Sequence, residues 1–304
     1  MQKIKEQKIW ISLAAAGSFN DGERRLCEVN RYDIHGHLLF HESYNGQGKL
    51  ESRQQYEYNA AGLLLKEYHC FSDNEWDEIH TYFYSENGKL QNIIIRYADN
   101  SITDRYHQYD EPTGKFIIEA RDEKGNIEER EERELDEDGL ILSFAYYRYG
   151  ELQSQERYFY DEKKREVAEE KYDTNMLIER TELVYDEQDR IKRKQIYDRQ
   201  GQLSSLIVNE TDELGRLVHQ LSKDRNHDYN NFQIHHSYNV LDQSHTVRIT
   251  DREGHIVSEK TTWYDKDRNI LRETSGRRSI DPLEISNLPN SGFETRCYEY
   301  AFWE

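Results

Sequence analysis

Turn-forming residues recur along this chain at two interleaved and nearly constant spacings, and that metre leaves few folds open. One comb runs Gly36, Gly62, Gly88, Gly114, Gly139, Lys164, Asp189, Gly215, Asp242 and Arg268, in steps of 25 to 27 residues. The other runs Gly22, Gly48, Asn74, Asn100, Gly125, Gly150, Asn175, Gly201, His227 and Gly254, in steps of the same size. Of the 16 glycines in the chain, 12 stand on these marks. Each mark is therefore expected to need a backbone at φ > 0, which glycine enters without steric cost. A period of this length identifies a repeated supersecondary unit.

The segments between marks leave roughly seven to nine residues for a strand, a common strand length. Ile79–Tyr84, Leu90–Tyr97 and Leu140–Tyr147 show the β-branched and aromatic content that strands prefer. No segment keeps a 3.6-residue apolar period across a mark. The three prolines suit continuous ladders, to which proline cannot donate. Twenty turns then join about twenty-one strands, which predicts an all-β protein: a long antiparallel β-meander of about 20 strands, forming a curved or superhelical sheet. The organisation read from this is an N-terminal strand or cap over 1–21, hairpin repeats over 22–272, and a C-terminal loop and aromatic capping strand over 273–304. In the last part Ser275 to Ser291 reads as loop and Phe293 to Trp303 as a final strand.

The turn text carries a resemblance of its own. Tyr32-Asp33-Ile34-His35-Gly36-His37-Leu38, Tyr197-Asp198-Arg199-Gln200-Gly201-Gln202-Leu203 and Thr211-Asp212-Glu213-Leu214-Gly215-Arg216-Leu217 share one pattern. Heptads opening at Tyr185 and Tyr264 keep it with the glycine replaced, and further Tyr-Asp pairs open turns at Tyr109, Tyr160 and Tyr172. Over residues 20 to 270 the chain resembles the YD repeats of the Rhs family. In that family the repeats wind a β-strip into a hollow shell around a toxin domain, behind a core segment with a self-cleavage motif. Asp281-Pro282-Leu283 is a faint echo of that segment, and no toxin domain is expected behind it. The resemblance implies a coiled sheet, and the departures from the family's pattern lead to the expectation of a free-standing repeat protein, such as the immunity proteins that accompany toxins of this kind.

Charge narrows the function. The 60 acids and 41 bases leave a net charge of −19, which argues against nucleic acid as a ligand, since phosphate contacts need Lys and Arg. No run approaches the roughly 20 apolar residues of a membrane-spanning helix. Ile9 to Gly17 follows a mildly basic start and has a signal peptide's outline, but Glu6 interrupts the basic segment. It reads as a first strand with a small-residue loop, and a cytoplasmic location is expected. Between Glu119 and Asp138 stand 11 acids and four bases. Ile127 to Leu135 (IEEREEREL) has no apolar middle on either face, so this strand is expected to meet water or a partner on both sides.

No enzymatic constellation rises above the background of carboxylates, and no cofactor or metal is expected. His35 and His37 flank a turn, and His235 and His236 share a strand. Cys27, Cys70 and Cys297 read as structural thiols. The expected function is non-enzymatic protein binding, by an immunity-type protein that neutralises a basic toxin domain. Glu128, Glu129, Glu131, Glu132, Glu134, Asp136 and Asp138 are the candidate contacts. The alternatives are a shell or scaffold module, or carbohydrate binding at Trp76 and Trp263 beside Asp77 and Asp265. Self-association through end strands stays open.

Overall fold

The Tyr-Asp heptads fold as the aspartate side chain dictates. Asp33 Oδ1 accepts the backbone N–H of His35 at 2.7 Å and of His37 at 2.9 Å. The Asp33 N–H donates to the His37 carbonyl at 2.9 Å, and the Gly36 N–H returns to the Asp33 carbonyl at 3.1 Å. The same four bonds close the turns at Asp122, Asp186, Asp198, Asp212 and Asp265. A side chain this short competes with its own backbone for hydrogen bonds, so it nucleates turns. Partial desolvation raises the Asp33 carboxyl, but hydrogen bonds from the His37 ring and from the His37 and His35 N–H groups outweigh it and bring it to about 2.

The computed structural model describes residues 3–14, 24–71, 76–110, 114–227, 230–277 and 293–303. Gly22, Asn74 and Asp281-Pro282-Leu283 lie outside them. Among the described residues there are twenty-two strands and no α-helix. The first part of the chain forms β1 (Ile4–Ala14), β2 (Arg25–Tyr32), β3 (Leu38–Tyr44), β4 (Leu50–Tyr58), β5 (Leu64–Cys70), β6 (Glu78–Tyr84), β7 (Leu90–Tyr97) and β8 (Ile102–Asp110). Then come β9 (Lys115–Arg121), β10 (Ile127–Leu135), β11 (Ile141–Arg148), β12 (Glu151–Tyr160), β13 (Glu166–Asp173), β14 (Met176–Tyr185) and β15 (Ile191–Asp198). The last are β16 (Leu203–Thr211), β17 (Leu217–Asp224), β18 (Phe232–Asn239), β19 (Ser244–Asp251), β20 (Ile256–Tyr264), β21 (Ile270–Arg277) and β22 (Phe293–Phe302). Where the connections lie among the described residues they are tight turns between consecutive antiparallel strands, so the antiparallel meander stands.

Positive φ falls on the marks even where glycine does not: Lys164 has φ 62°, Asp189 61° and Arg268 67°. Two marks differ. The Asp242 mark moves to Gln243, at φ 51°. His227 carries no positive φ, because Asp224 closes a wider turn there, accepting the N–H groups of Asn226 and His227. A left-handed backbone costs a residue with a Cβ about 1–2 kcal/mol, part of which glycine gives back through unfolded-state entropy. Lys164→Gly is therefore expected to stabilise by about 0.5–1 kcal/mol in urea unfolding, the exposed 2.7 Å pair with Asp138 being worth little.

Five tyrosines near strand ends tie their strand to an earlier turn. Tyr84, Tyr160, Tyr185, Tyr238 and Tyr300 donate their hydroxyls to the carbonyls of Leu64, Ile141, Glu166, Leu217 and Ile270, at 2.6 to 3.1 Å. Arg165 and Arg216, each held by its own turn aspartate, lie 4.4 and 4.5 Å from the ring centroids of Tyr185 and Tyr238. In Tyr160-Asp161 and Tyr185-Asp186 the tyrosine locks a repeat to its neighbour and the aspartate closes the turn.

By contact the chain divides into Met1–Arg53 with Ile207–Glu304, and Gln54–Leu206. In the second unit, β5 to β15 pair in sequence order, each antiparallel to the next. In the first, β1 sits between β2 and β22, with Ile9 opposite Glu28 on one side and Tyr298 on the other. The two strands nearest the chain ends thus use one edge each on the other. The final strand appears as expected, but the segment read as loop from Ser275 does not begin there: β21 runs to Arg277, its Ser275 and Gly276 opposite Glu294 and Phe293 of β22. A ladder partner more than fifteen residues downstream holds residues of poor strand propensity extended.

The core is lean. Among the described residues only Ile9, Val29, Cys70, Ile95, Ala120 and Ala168 are buried apolar side chains, with Thr181, Ser222, Thr250 and Thr262 beside them. Cross-strand pairs, rather than a deep interior, supply the packing.

Candidate functional site

Strand β10 lies between β9 and β11 in a fixed register. Glu131 stands opposite Ile118 and Tyr146, Arg133 opposite Phe116 and Phe144, and Glu132 opposite Ile117 and Ala145. With a side-chain period of two, Glu129, Glu131 and Arg133 share one face, and Arg130, Glu132 and Glu134 the other. On the first face the Arg133 guanidinium lies 5.9 Å from the ring centroids of both Phe116 and Phe144, and 2.9 Å from Glu131. Arg105 approaches Glu131 from β8 at 3.7 Å. On the second face Arg130 spans Glu132 at 2.7 Å and Glu119 at 3.3 Å, and Lys115 stands 3.6 Å from Glu132.

The strand was expected to need water or a partner on both faces. Most of its residues are half-buried, so both faces keep partial access to solvent, and their charges also meet counter-charges inside the sheet. The physical reason is cross-strand spacing. Neighbouring Cβ atoms about 5 Å apart let Lys115 reach Glu132 and Arg130 reach Glu119 across the β9–β10 pair, while Arg105 reaches over β9 from β8.

The seven candidate contacts therefore separate. Glu131 and Glu132 are paired as above. Glu129 is half-buried opposite Arg148 of β11, and desolvation first and then the Glu129 carboxylate push the Tyr146 hydroxyl up. Glu128 is half-buried, and its carbonyl accepts the Tyr149 N–H at 2.7 Å. Asp136 is a turn aspartate, accepting the N–H of Asp138 at 2.9 Å and of Leu140 at 2.8 Å. Glu134 is exposed, with the Ser143 hydroxyl at 3.3 Å, and Asp138 is exposed beside Lys164. Glu137, between them, is exposed as well. On the row of Glu131, His107 is lowered by burial first and then by Arg105.

The other candidates are engaged locally. Trp76 packs on Tyr68 with centroids 5.1 Å apart, and Asp77 accepts the Phe71 N–H at 2.5 Å. Arg272 covers Trp263 at 4.8 Å, while Asp265 closes its turn. Cys70 is buried, and Cys27 and Cys297 are half-buried. His37 is held by Asp33 at 2.8 Å, and His236 Nδ1 lies 3.1 Å from His245 Nε2. Neither expected histidine pair gathers a third ligand among the described residues. Two other groups could hold an ion: Glu67 with His69 and His80, and Asp251 with Glu253 and His255. The first was legible as two Glu-x-His tripeptides, Glu67-Tyr68-His69 and Glu78-Ile79-His80.

No protein-family model matches the chain, and no curated protein matches it. Among solved structures it is similar to the Tc holotoxin pore of Photorhabdus luminescens bearing a TccC3 mutation, at 12% identity and TM-score 0.40, over 96% of this chain and 18% of that one. It is also similar to a TcdB2-TccC3 structure, at 14% identity and TM-score 0.35, over 96% of this chain and 18% of that one. A porin-like protein from Bacteroides uniformis follows at 8% identity and TM-score 0.29, over 98% of each chain. The chain spans less than a fifth of the length of these toxin chains, and TM-scores this low carry no argument about function.

Proposed function

We propose that this is a non-enzymatic, protein-binding β-repeat protein of the immunity type, which neutralises a basic toxin domain by direct contact. The Tyr-Asp heptads motivate the family analogy. The observation that carries the reading is the run of exposed acids Glu134, Glu137 and Asp138 at the end of β10, on a chain of net charge −19. Glu131, Glu132 and Asp136 shape this edge from within, and the exposed three supply the field a cationic partner would feel.

The test is surface-binding kinetics with the products of the two neighbouring genes. Association with one of them should slow by roughly tenfold or more between low and high salt, with dissociation changing less. A Glu134→Lys, Glu137→Lys, Asp138→Lys triple variant should reproduce that slowing at low salt. Unchanged kinetics in the triple variant would remove this edge from the interface, and no binding by either product would remove the immunity reading.

A further inference from the structure

The β5–β6 hairpin brings two Glu-x-His tripeptides together head to tail. Glu67 stands opposite His80, and His69 opposite Glu78, and the period of two places all four on one face. Glu67 Oε2 lies 3.6 Å from His80 Nδ1 and 3.9 Å from His69 Nε2, both too long for a hydrogen bond. His69 Nε2 is buried with no hydrogen-bond partner. His80 Nε2 is 3.0 Å from Glu78 Oε2, and in the tautomer whose Nε2–H donates to that carboxylate the Nδ1 lone pair faces Glu67. Tyr82 donates its hydroxyl to that same Glu67 oxygen. The three converging side chains are only 14 to 19% exposed, and buried Ile95 stands opposite His80 on β7.

Three atoms that can each offer a lone pair thus converge, and His69 Nε2 has no other polar partner. We propose that Glu67, His69 and His80 form a divalent-metal site, taking a borderline-soft first-row ion such as Zn2+, with Glu78 as the residue that positions His80. Bonds of about 2.0–2.2 Å in a tetrahedron set ligand atoms about 3.3–3.6 Å apart, against 3.6 and 3.9 Å from Glu67 to the two histidines and no more than 4.8 Å among all three here. Two imidazoles disfavour Mg2+ and Ca2+, which prefer all-oxygen shells. A carboxylate on the far nitrogen of a ligating histidine is the usual support for such a ligand. Three protein ligands leave the fourth position to solvent. The Asp251, Glu253 and His255 group differs: it is mostly exposed, and its Asp251 oxygens are spent on the Glu253 and His255 N–H groups and the His255 ring.

Zn2+ alone should be titrated into the full, chelator-treated chain near neutral pH, against a chromophoric indicator. One ion per chain should bind with a dissociation constant of about a micromolar or tighter. His69→Ala and His80→Ala should each weaken binding at least ~100-fold, and Glu78→Gln by about 10- to 100-fold. His255→Ala should change nothing. Zn2+ should also raise the melting temperature of the wild-type chain but not of the His69 and His80 variants. Absence of stoichiometric binding would overturn the site, as would binding that survives both alanine changes or fails with His255→Ala. Should the alanine variants not fold, Zn2+-dependent shifts of the His69 and His80 ring resonances in the wild-type chain decide, and unmoved resonances refute the site.

Discussion

Deleting residues 293–304 should unfold the unit that contains β1, rather than trim an end from it. Strand β22 pairs with ten residues of β1 and five of β21. It also donates the Tyr300 and Tyr298 hydroxyls to the Ile270 carbonyl and to Glu273, at 2.9 and 2.8 Å. At about 0.5–1.5 kcal/mol for each hydrogen bond, the loss approaches a domain's whole stability of about 5–15 kcal/mol. The deletion further bares one edge of β1 and one of β21, which invites pairing between chains. Circular dichroism melting and sedimentation should show a collapsed transition and soluble aggregate. A truncated monomer melting within a few degrees of the full chain would mean that β22 is an ornament.

The second large effect is expected at Arg133. Its guanidinium lies against two phenylalanine rings and pairs with Glu131, so Arg133→Ala removes stacking, packing and charge together. A cation–π contact contributes about 0.5–1 kcal/mol at a partly exposed site, and a discounted surface ion pair less. With the lost side-chain packing, the total should be about 2–3 kcal/mol in urea unfolding. Arg133→Lys should recover less than half, because an ammonium cannot lie flat between two rings. A cost under about 0.5 kcal/mol for the alanine variant would show that the acidic strand is held by its ladder alone.

What could be read from the chain follows from the range over which each cause acts. A left-handed backbone is the affair of one residue, so the metre located Lys164, Asp189 and Arg268 although their identities give no hint. The Asx bonds span four residues, so they too were legible. Asp136-Glu137-Asp138-Gly139-Leu140 has the same spacing as the Tyr-Asp turns, and could have marked Asp136 as a turn residue rather than a contact. The strand formed by Ser275 to Arg277 could not be seen, because β22 imposes it from beyond residue 292. Nor could the pairing of Glu131 and Glu132 with Arg105 and Lys115, which depends on register. An irregularity between Ile127 and Glu129 sets that register on the β9 side, and a slip of one residue would have turned each charge to the opposite face.

The Trp303 N–H donates to the Lys3 carbonyl at 3.0 Å, and Ile4 stands opposite Phe302. Tension applied between the two termini would therefore load this bond first and part β1 from β22 pair by pair, as a zipper opens, instead of shearing ten pairs at once. A machine that grips both ends would meet small successive resistances, whereas one that pulls across a turn in the middle of the chain would not.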